Sequence, residues 1–153
     1  MGKVLILYAS RSNETKSIAE IIAEGVRISG HEPDIKKTSQ IKSEDDIKGY
    51  DGYIFGSATY HGEMITSMKQ ILFIAERAEL KDKPGGSFGS YGWSGEAVKI
   101  LNNEFSEMKL DIIDEGIKVQ YVPDEDDLNK CFDLGVKIAK TLKQKLSGGK
   151  DGQ

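Results

Sequence analysis

Lys3-Val4-Leu5-Ile6-Leu7-Tyr8-Ala9, then Ser10-Arg11-Ser12-Asn13-Glu14-Thr15, then apolar residues at Ile18, Ile21, Ile22, Gly25 and Val26: these opening segments decide how the chain folds. The first is apolar without alternation and rich in branched or large side chains, the pattern of a strand covered on both faces. The third paints one stripe along a helix that ends near Gly30. A buried strand that feeds a helix through a short polar loop is the start of a crossover unit, in which the next strand returns parallel to the first.

The same alternation continues outward. Glu32 to Lys37 reads as a short edge strand and Gly52-Tyr53-Ile54-Phe55-Gly56-Ser57 as a second buried strand, followed by a helix marked by Met64, Ile65, Met68, Ile71, Leu72 and Ala75. Gly86 to Ser90 is the next strand, Gly95 to Met108 a helix with Ala97, Leu101, Phe105 and Met108 on one side, and Ile112 to Tyr121 the last strand. Asp124 to Leu146 closes the pattern as a helix with Leu128, Cys131, Phe132, Gly135, Ile138, Ala139 and Leu142 in one stripe. Strands alternating with amphipathic helices require right-handed crossovers and helices on both faces of a parallel sheet. The expected fold is therefore α/β and doubly wound. Residues 1–146 form the expected domain, with 147–153, glycine-rich and without apolar residues, as a flexible tail.

Composition removes several functions. A chain of 153 residues accommodates one such domain. Twenty-one Lys and Arg against 25 Asp and Glu give a net charge of −4, without the basic excess that nucleic acid or an anionic bilayer would require. The lone Cys131 cannot form an internal disulfide, and His31 and His61 are far apart, so no donor set for a metal is expected. Cys131, on the apolar stripe, reads as a small core residue. The apolar run Val4 to Ala9 falls well short of the roughly 20 residues of a membrane-spanning helix, and is too short for a secretory signal, so a cytoplasmic location is expected. The acidic runs Glu44-Asp45-Asp46 and Asp124-Glu125-Asp126-Asp127 read as first turns of helices, where carboxylates complement the dipole.

In a doubly wound sheet ligands lie beyond the carboxyl ends of the strands, so function belongs in the loops Ser10 to Thr15, Ala58 to Glu63 and Ser90 to Ser94. The first runs into a helix N-terminus, where free N–H groups and the dipole favour an anion, and Ser10, Ser12 and Thr15 add hydroxyl donors. An ordinary capping turn would use the same residue types. No G-x-x-x-x-G-K-[ST] and no G-x-G-x-x-G is present, which disfavours a triphosphate or a dinucleotide and leaves a terminal monophosphate. The second loop brings Thr59, Tyr60, His61 and Gly62 to the mouth of its strand, a set suited to the edge of a flat heteroaromatic ring. His61 as a general base would want an orienting carboxylate, for which Glu63 is the nearest in sequence, and a solvated loop histidine is the plainer reading. No catalytic residue is assigned. The third loop carries Ser90, Tyr91, Gly92 and Trp93, with the chain's single Trp on a Gly-flanked turn. Nine of the 17 glycines fall between Gly49 and Gly95, which points to close backbone approach in this region. A phosphate cradle facing aromatic walls describes a mononucleotide with a planar ring, best matched by flavin mononucleotide (FMN).

These residues carry a resemblance that spans nearly the whole chain. The order of elements, Ser10-x-Ser12-x-x-Thr15 in place of T/S-x-T-G-x-T, the loop after Gly56-Ser57 and the stretch Phe88 to Gly95 resemble the flavodoxin family. More narrowly, Phe88 to Leu101, and Val119-x-Tyr121-Val122-Pro123 followed by Asp126-Asp127-Leu128-x-Lys130-Cys131, resemble the flavodoxin-like C-terminal domain of flavodiiron proteins, the oxygen and nitric oxide reductases. Asn13 stands where the family's phosphate loop has Gly, a substitution that the left-handed tolerance of Asn permits. Arg11 and Lys16 add cations there.

The resemblance implies a five-stranded parallel sheet in the order 2-1-3-4-5 and noncovalent FMN. By position, Ser10, Arg11, Ser12, Asn13, Glu14 and Thr15 would hold the phosphate. Thr59, Tyr60, His61 and Gly62 would line one side of the isoalloxazine, and Ser90, Tyr91, Gly92 and Trp93 the other. Tyr60, Tyr91 and Trp93 remain equal candidates for stacking. The diiron ligand pattern H-x-E-x-D-H is not in the chain, so the expected role is an electron carrier served by a reductase, handing electrons to a redox partner such as a diiron protein or a rubredoxin-like carrier. The alternatives are a flavin-dependent NAD(P)H:quinone-type reductase and a cofactor-free interaction module. The sequence does not address the oligomeric state.

Overall fold

A computed structural model describes residues 2–9, 14–60, 63–64, 66–91, 96–120 and 123–151, with the side chains at 14, 59–60, 63–64, 90–91, 120 and 146–151 outside that description. The strands are β1 (Lys3–Ala9), β2 (Glu32–Lys37), β3 (Gly52–Tyr60), β4 (Glu63–Met64), β5 (Pro84–Tyr91), β6 (Asp111–Ile112) and β7 (Ile117–Gln120). The helices are α1 (Glu14–Ile28), α2 (Thr66–Glu76), α3 (Glu96–Glu107) and α4 (Glu125–Asp151). β2, β1, β3 and β5 lie side by side in parallel, and β6 and β7 both pair parallel with the outer side of β5. Counting β6 and β7 as one interrupted strand gives the order 2-1-3-4-5, with helices on both faces.

The two-faced burial of β1 explains its unbroken apolar run. Leu5 and Leu7 point into one core with Tyr53 and Phe55 of β3, closed by Met68, Leu72 and Ala75 of α2 and Ala97, Leu101 and Phe105 of α3. Val4 and Ile6 point the other way, into a core with Ile54 and Phe88, closed by Ile18, Ile22 and Val26 of α1 and Leu134, Ile138 and Leu142 of α4. Each such side chain removed from water contributes about 1.5–3 kcal/mol. At the sheet edge, β2 carries Pro33, Lys36 and Lys37, residues that blunt pairing with another chain.

Several boundaries differ from the sequence reading. β3 runs on through Ala58, Thr59 and Tyr60, and its end pairs antiparallel with β4, Thr59 opposite Met64 and Tyr60 opposite Glu63. Met64 therefore belongs to a strand rather than to the following helix, and the chain reverses between Tyr60 and Glu63. The last strand is broken at 113–116. Gly116 has φ of +105°, and an added Cβ would lie 2.2 Å from Val98 Cγ1. Asn102 of α3 secures this break by accepting from Ser87 Oγ at 2.7 Å and donating to the Glu115 carbonyl at 2.5 Å. α4 continues to Asp151, past the expected end at Leu146.

Where α1 and α4 cross, Gly25 and Gly135 let the two backbones meet directly. A Cβ at Gly25 would stand 2.2 Å from the Phe132 carbonyl oxygen, and one at Gly135 would stand 2.1 Å from the Ile22 carbonyl oxygen. The sequence reading assigned the glycines from 49 to 95 to close approach at the ligand loops. Among the described ones, Gly56 lies under the Phe88 ring, Gly85 against Leu110 and Gly52 against Ile138, close approaches within the sheet and its cores, while Gly49, at φ of +91°, has no neighbour that an added Cβ would meet.

Candidate functional site

All the long strands point the same way, so their carboxyl ends form one rim. Ala9 of β1 is level with Ser57 of β3, and Ser57 with Gly89 of β5. With neighbouring strands about 4.8 Å apart, the chain enters all three predicted loops from positions within roughly 10 Å of one another. From β1 the chain passes to β2 on one side and, after β2, to β3 on the other, so β1 and β3 flank the topological switch point where such sheets bind ligands.

α1 begins at Glu14, five residues after β1 ends at Ala9, and sets its N-terminus at this rim. The first N–H groups of a helix have no partner within it and carry the positive end of the dipole, the elements of an anion site. Thr15, in that first turn, is fully buried. On the other side of β3, Gly89 lets α3 approach closely: an added Cβ would meet Val98 Cγ2 at 2.9 Å and the Ser57 carbonyl at 3.1 Å.

Of the predicted site residues, Glu14 and Thr15 open α1, Thr59 and Tyr60 end β3, and Ser90 and Tyr91 end β5. Ser10, Arg11, Ser12, Asn13, His61, Gly62, Gly92 and Trp93 lie outside the described residues. The β3–β4 hairpin, which brackets His61-Gly62, was missed; a Gly at the second of two residues between paired segments is its sequence signal.

Most of the acidic runs' carboxylates act locally, Glu44 also meeting Arg77 at 3.0 Å. At the start of α4 the Asp127 N–H donates to Asp124 Oδ1 at 2.8 Å and the Asp124 N–H to Asp127 Oδ2 at 3.3 Å, a reciprocal cap. Asp46 accepts from the N–H groups of Lys42 and Ser43, which hold its carboxyl below the usual range. Cys131 is buried, and desolvation, with Asp127 nearby, pushes its thiol up to about 12, far from a reactive thiolate.

A doubly wound sheet with a helix N-terminus opening beside its switch point defines the class of α/β domains that bind ligands at the carboxyl rim of the sheet. The flavodoxin family model matches residues 6–135, and the chain belongs to the flavodoxin family. It is 28% identical to the flavo-diiron protein FprA2 of Clostridium acetobutylicum over 142 residues, covering 90% of this chain and 36% of that protein. Rubredoxin oxygen:oxidoreductase from Desulfovibrio gigas superposes with a TM-score of 0.89 at 29% identity, over 95% of this chain and 37% of the other. A flavodoxin from the domain Archaea superposes with a TM-score of 0.86 at 29% identity, over 92% of this chain and 99% of the other. The chain thus spans between a quarter and somewhat over a third of the curated relatives it matches, and nearly all of a free-standing flavodoxin. The family binds FMN, and the aligned strand ends, the α1 N-terminus and buried Thr15 fit a nucleotide with a terminal phosphate. No helix among the described residues is long and apolar enough to cross a membrane.

Proposed function

We propose that this chain holds FMN noncovalently at the carboxyl rim and acts as an electron-transfer protein, with residues 1–146 as the binding unit. The observation that carries this reading is the register of Ala9, Ser57 and Gly89 at the switch point, with α1 opening beside it. The hydroxyls of Ser10, Ser12 and Thr15 and the N–H groups of 10–15 would bind the phosphate, with Arg11 adding charge. Thr59 to Gly62 would border one side of the ring and Ser90 to Trp93 the other, their aromatic side chains excluding water from it. Bound FMN supplies one- and two-electron redox chemistry, and the protein tunes it by hydrogen bonding and local charge. No side chain is required as acid or base.

The natural partners in this reading are a reductase as donor and a redox protein as acceptor. A diiron oxygen or nitric oxide reductase, or a rubredoxin-like carrier, is supported by the names of the relatives. The test is anaerobic reduction of the FMN-loaded protein. Reduction by NADPH only when a flavodoxin reductase is added, and re-oxidation by a diiron partner, supports the carrier role. Steady NADPH turnover with a quinone and no added reductase makes the chain a reductase in its own right.

A further inference from the structure

α2 and α3 lie on the same face of the sheet, and an open groove of about 340 Å³ runs between them. Leu72 and Ile100 contribute apolar surface to it, and Phe73 stands on its wall with 68% of its surface exposed. Ile28, the other large apolar side chain so exposed among the described residues, sits on α1, which packs on the opposite face. Exposing a phenyl ring beside an apolar groove is costly in water and marks a surface suited to contact.

The charge lining the groove is mostly negative, three Glu against Lys69. Glu76 ends α2, Glu104 and Glu107 lie in the last turn of α3, and neither helix has a basic residue in its last turn. Carboxylates therefore gather where two helix dipoles already present their negative ends, the reverse of the arrangement that stabilises a helix terminus. Arg77, next in sequence after α2, turns away to Glu44 at 3.0 Å, and Lys69 lines the groove about two turns back toward the start of α2. Partial burial, with Glu107 and Glu76 close by, raises the carboxyl of Glu104 above its ordinary value. The folded state thus binds that proton more tightly than the unfolded chain, and this contribution to stability is present at low pH and lost as pH rises through the folded pKa. Glu104→Gln should accordingly raise Tm modestly at neutral pH, with the gain vanishing below the carboxylate range. A gain that persists at low pH would contradict that origin.

We propose that the α2–α3 groove is a docking surface for a partner protein that presents a basic amphipathic helix. An apolar side chain of that helix enters between Leu72, Phe73 and Ile100, and its Arg or Lys side chains meet Glu76, Glu104 and Glu107. Charge complementarity selects this occupant over a second copy of the chain. A two-fold contact through the same groove would set carboxylates against carboxylates between two molecules that each carry −4. The carboxylates sit at the helix ends remote from the carboxyl rim, so a partner held there leaves the proposed FMN site open. The inference is independent of that site.

The test is NMR titration of the purified chain with two short amphipathic peptides sharing a Leu face, one flanked by Arg and one by Glu. The Arg peptide should bind and perturb Leu72, Phe73 and Ile100. Phe73→Ser, folded by circular dichroism, should weaken it at least about tenfold, as loss of an aromatic anchor does. Glu104→Gln with Glu107→Gln should weaken it and flatten its salt dependence. Equal binding of the Glu peptide, absence of binding, or perturbations confined to another surface overturns the proposal. So does sedimentation of the chain alone as a dimer that Phe73→Ser dissociates, which assigns the groove to a second copy.

Discussion

Gly135→Ala is expected to lower Tm by roughly 4–8 °C, even though alanine is the better helix former by about 1 kcal/mol. The new methyl group would lie 2.1 Å from the Ile22 carbonyl oxygen, and the atom it meets is backbone, which cannot rotate aside. α1 and α4 must separate, and overpacking of a tight contact costs about 1–3 kcal/mol, more where main chain meets main chain. Gly25→Ala makes the reciprocal clash with the Phe132 carbonyl at 2.2 Å. One separation of the helices relieves both, so the double variant should lose less than the sum of the singles. Thermal melts of the three variants provide the check. An unchanged or raised Tm for either single variant contradicts the close crossing. Because α1 also opens at the carboxyl rim, the same variants should bind FMN more weakly.

If the first loop holds the phosphate as proposed, Ser12→Asp is expected to weaken FMN binding about a hundredfold or more, since two unit charges about 4 Å apart at an effective dielectric near 20 repel by about 4 kcal/mol. Ser12→Ala would remove only the one hydrogen bond that the proposed site assigns to this hydroxyl, about 1 kcal/mol or some fivefold. Riboflavin, which lacks the phosphate, separates this effect from general damage: its affinity should barely change in Ser12→Asp. Titration calorimetry with both ligands reads the difference. Equal losses for FMN and riboflavin would mean that the first loop does not hold the phosphate.

Much of this fold is legible in the sequence because its signals are local and strong. The unalternating run of β1 requires cover on both faces, and Leu5 and Val4 do enter different cores. The edge strand Glu32–Lys37 agrees with its expected bounds, since Pro33 and the lysines leave it few other places. What escaped reading depends on contacts distant in sequence. The Gly25–Gly135 crossing joins two helical stripes whose glycines read singly as weak positions, and the break at Gly116 is held by Ser87 and Asn102 of other elements. The close approach expected of the glycines from 49 to 95 is met at Gly56 and Gly85 by Phe88 and Leu110, because composition cannot separate a backbone that approaches a cofactor from one that approaches a core side chain. For the site, what the structure adds is the register of β1, β3 and β5, which brings to one rim the strand ends from which the three expected loops depart.

The measurement that bears most directly on the central claim is a titration of FMN into the cofactor-free protein, followed residue by residue through backbone amide shifts. One FMN should bind per chain. The largest changes should fall on Ala9, Glu14, Thr15, Thr59, Tyr60, Ser90 and Tyr91, with little change at Gly2, Lys3 and Asp51 at the opposite ends of the strands. Failure to bind FMN, or changes centred on that opposite edge, would contradict the account.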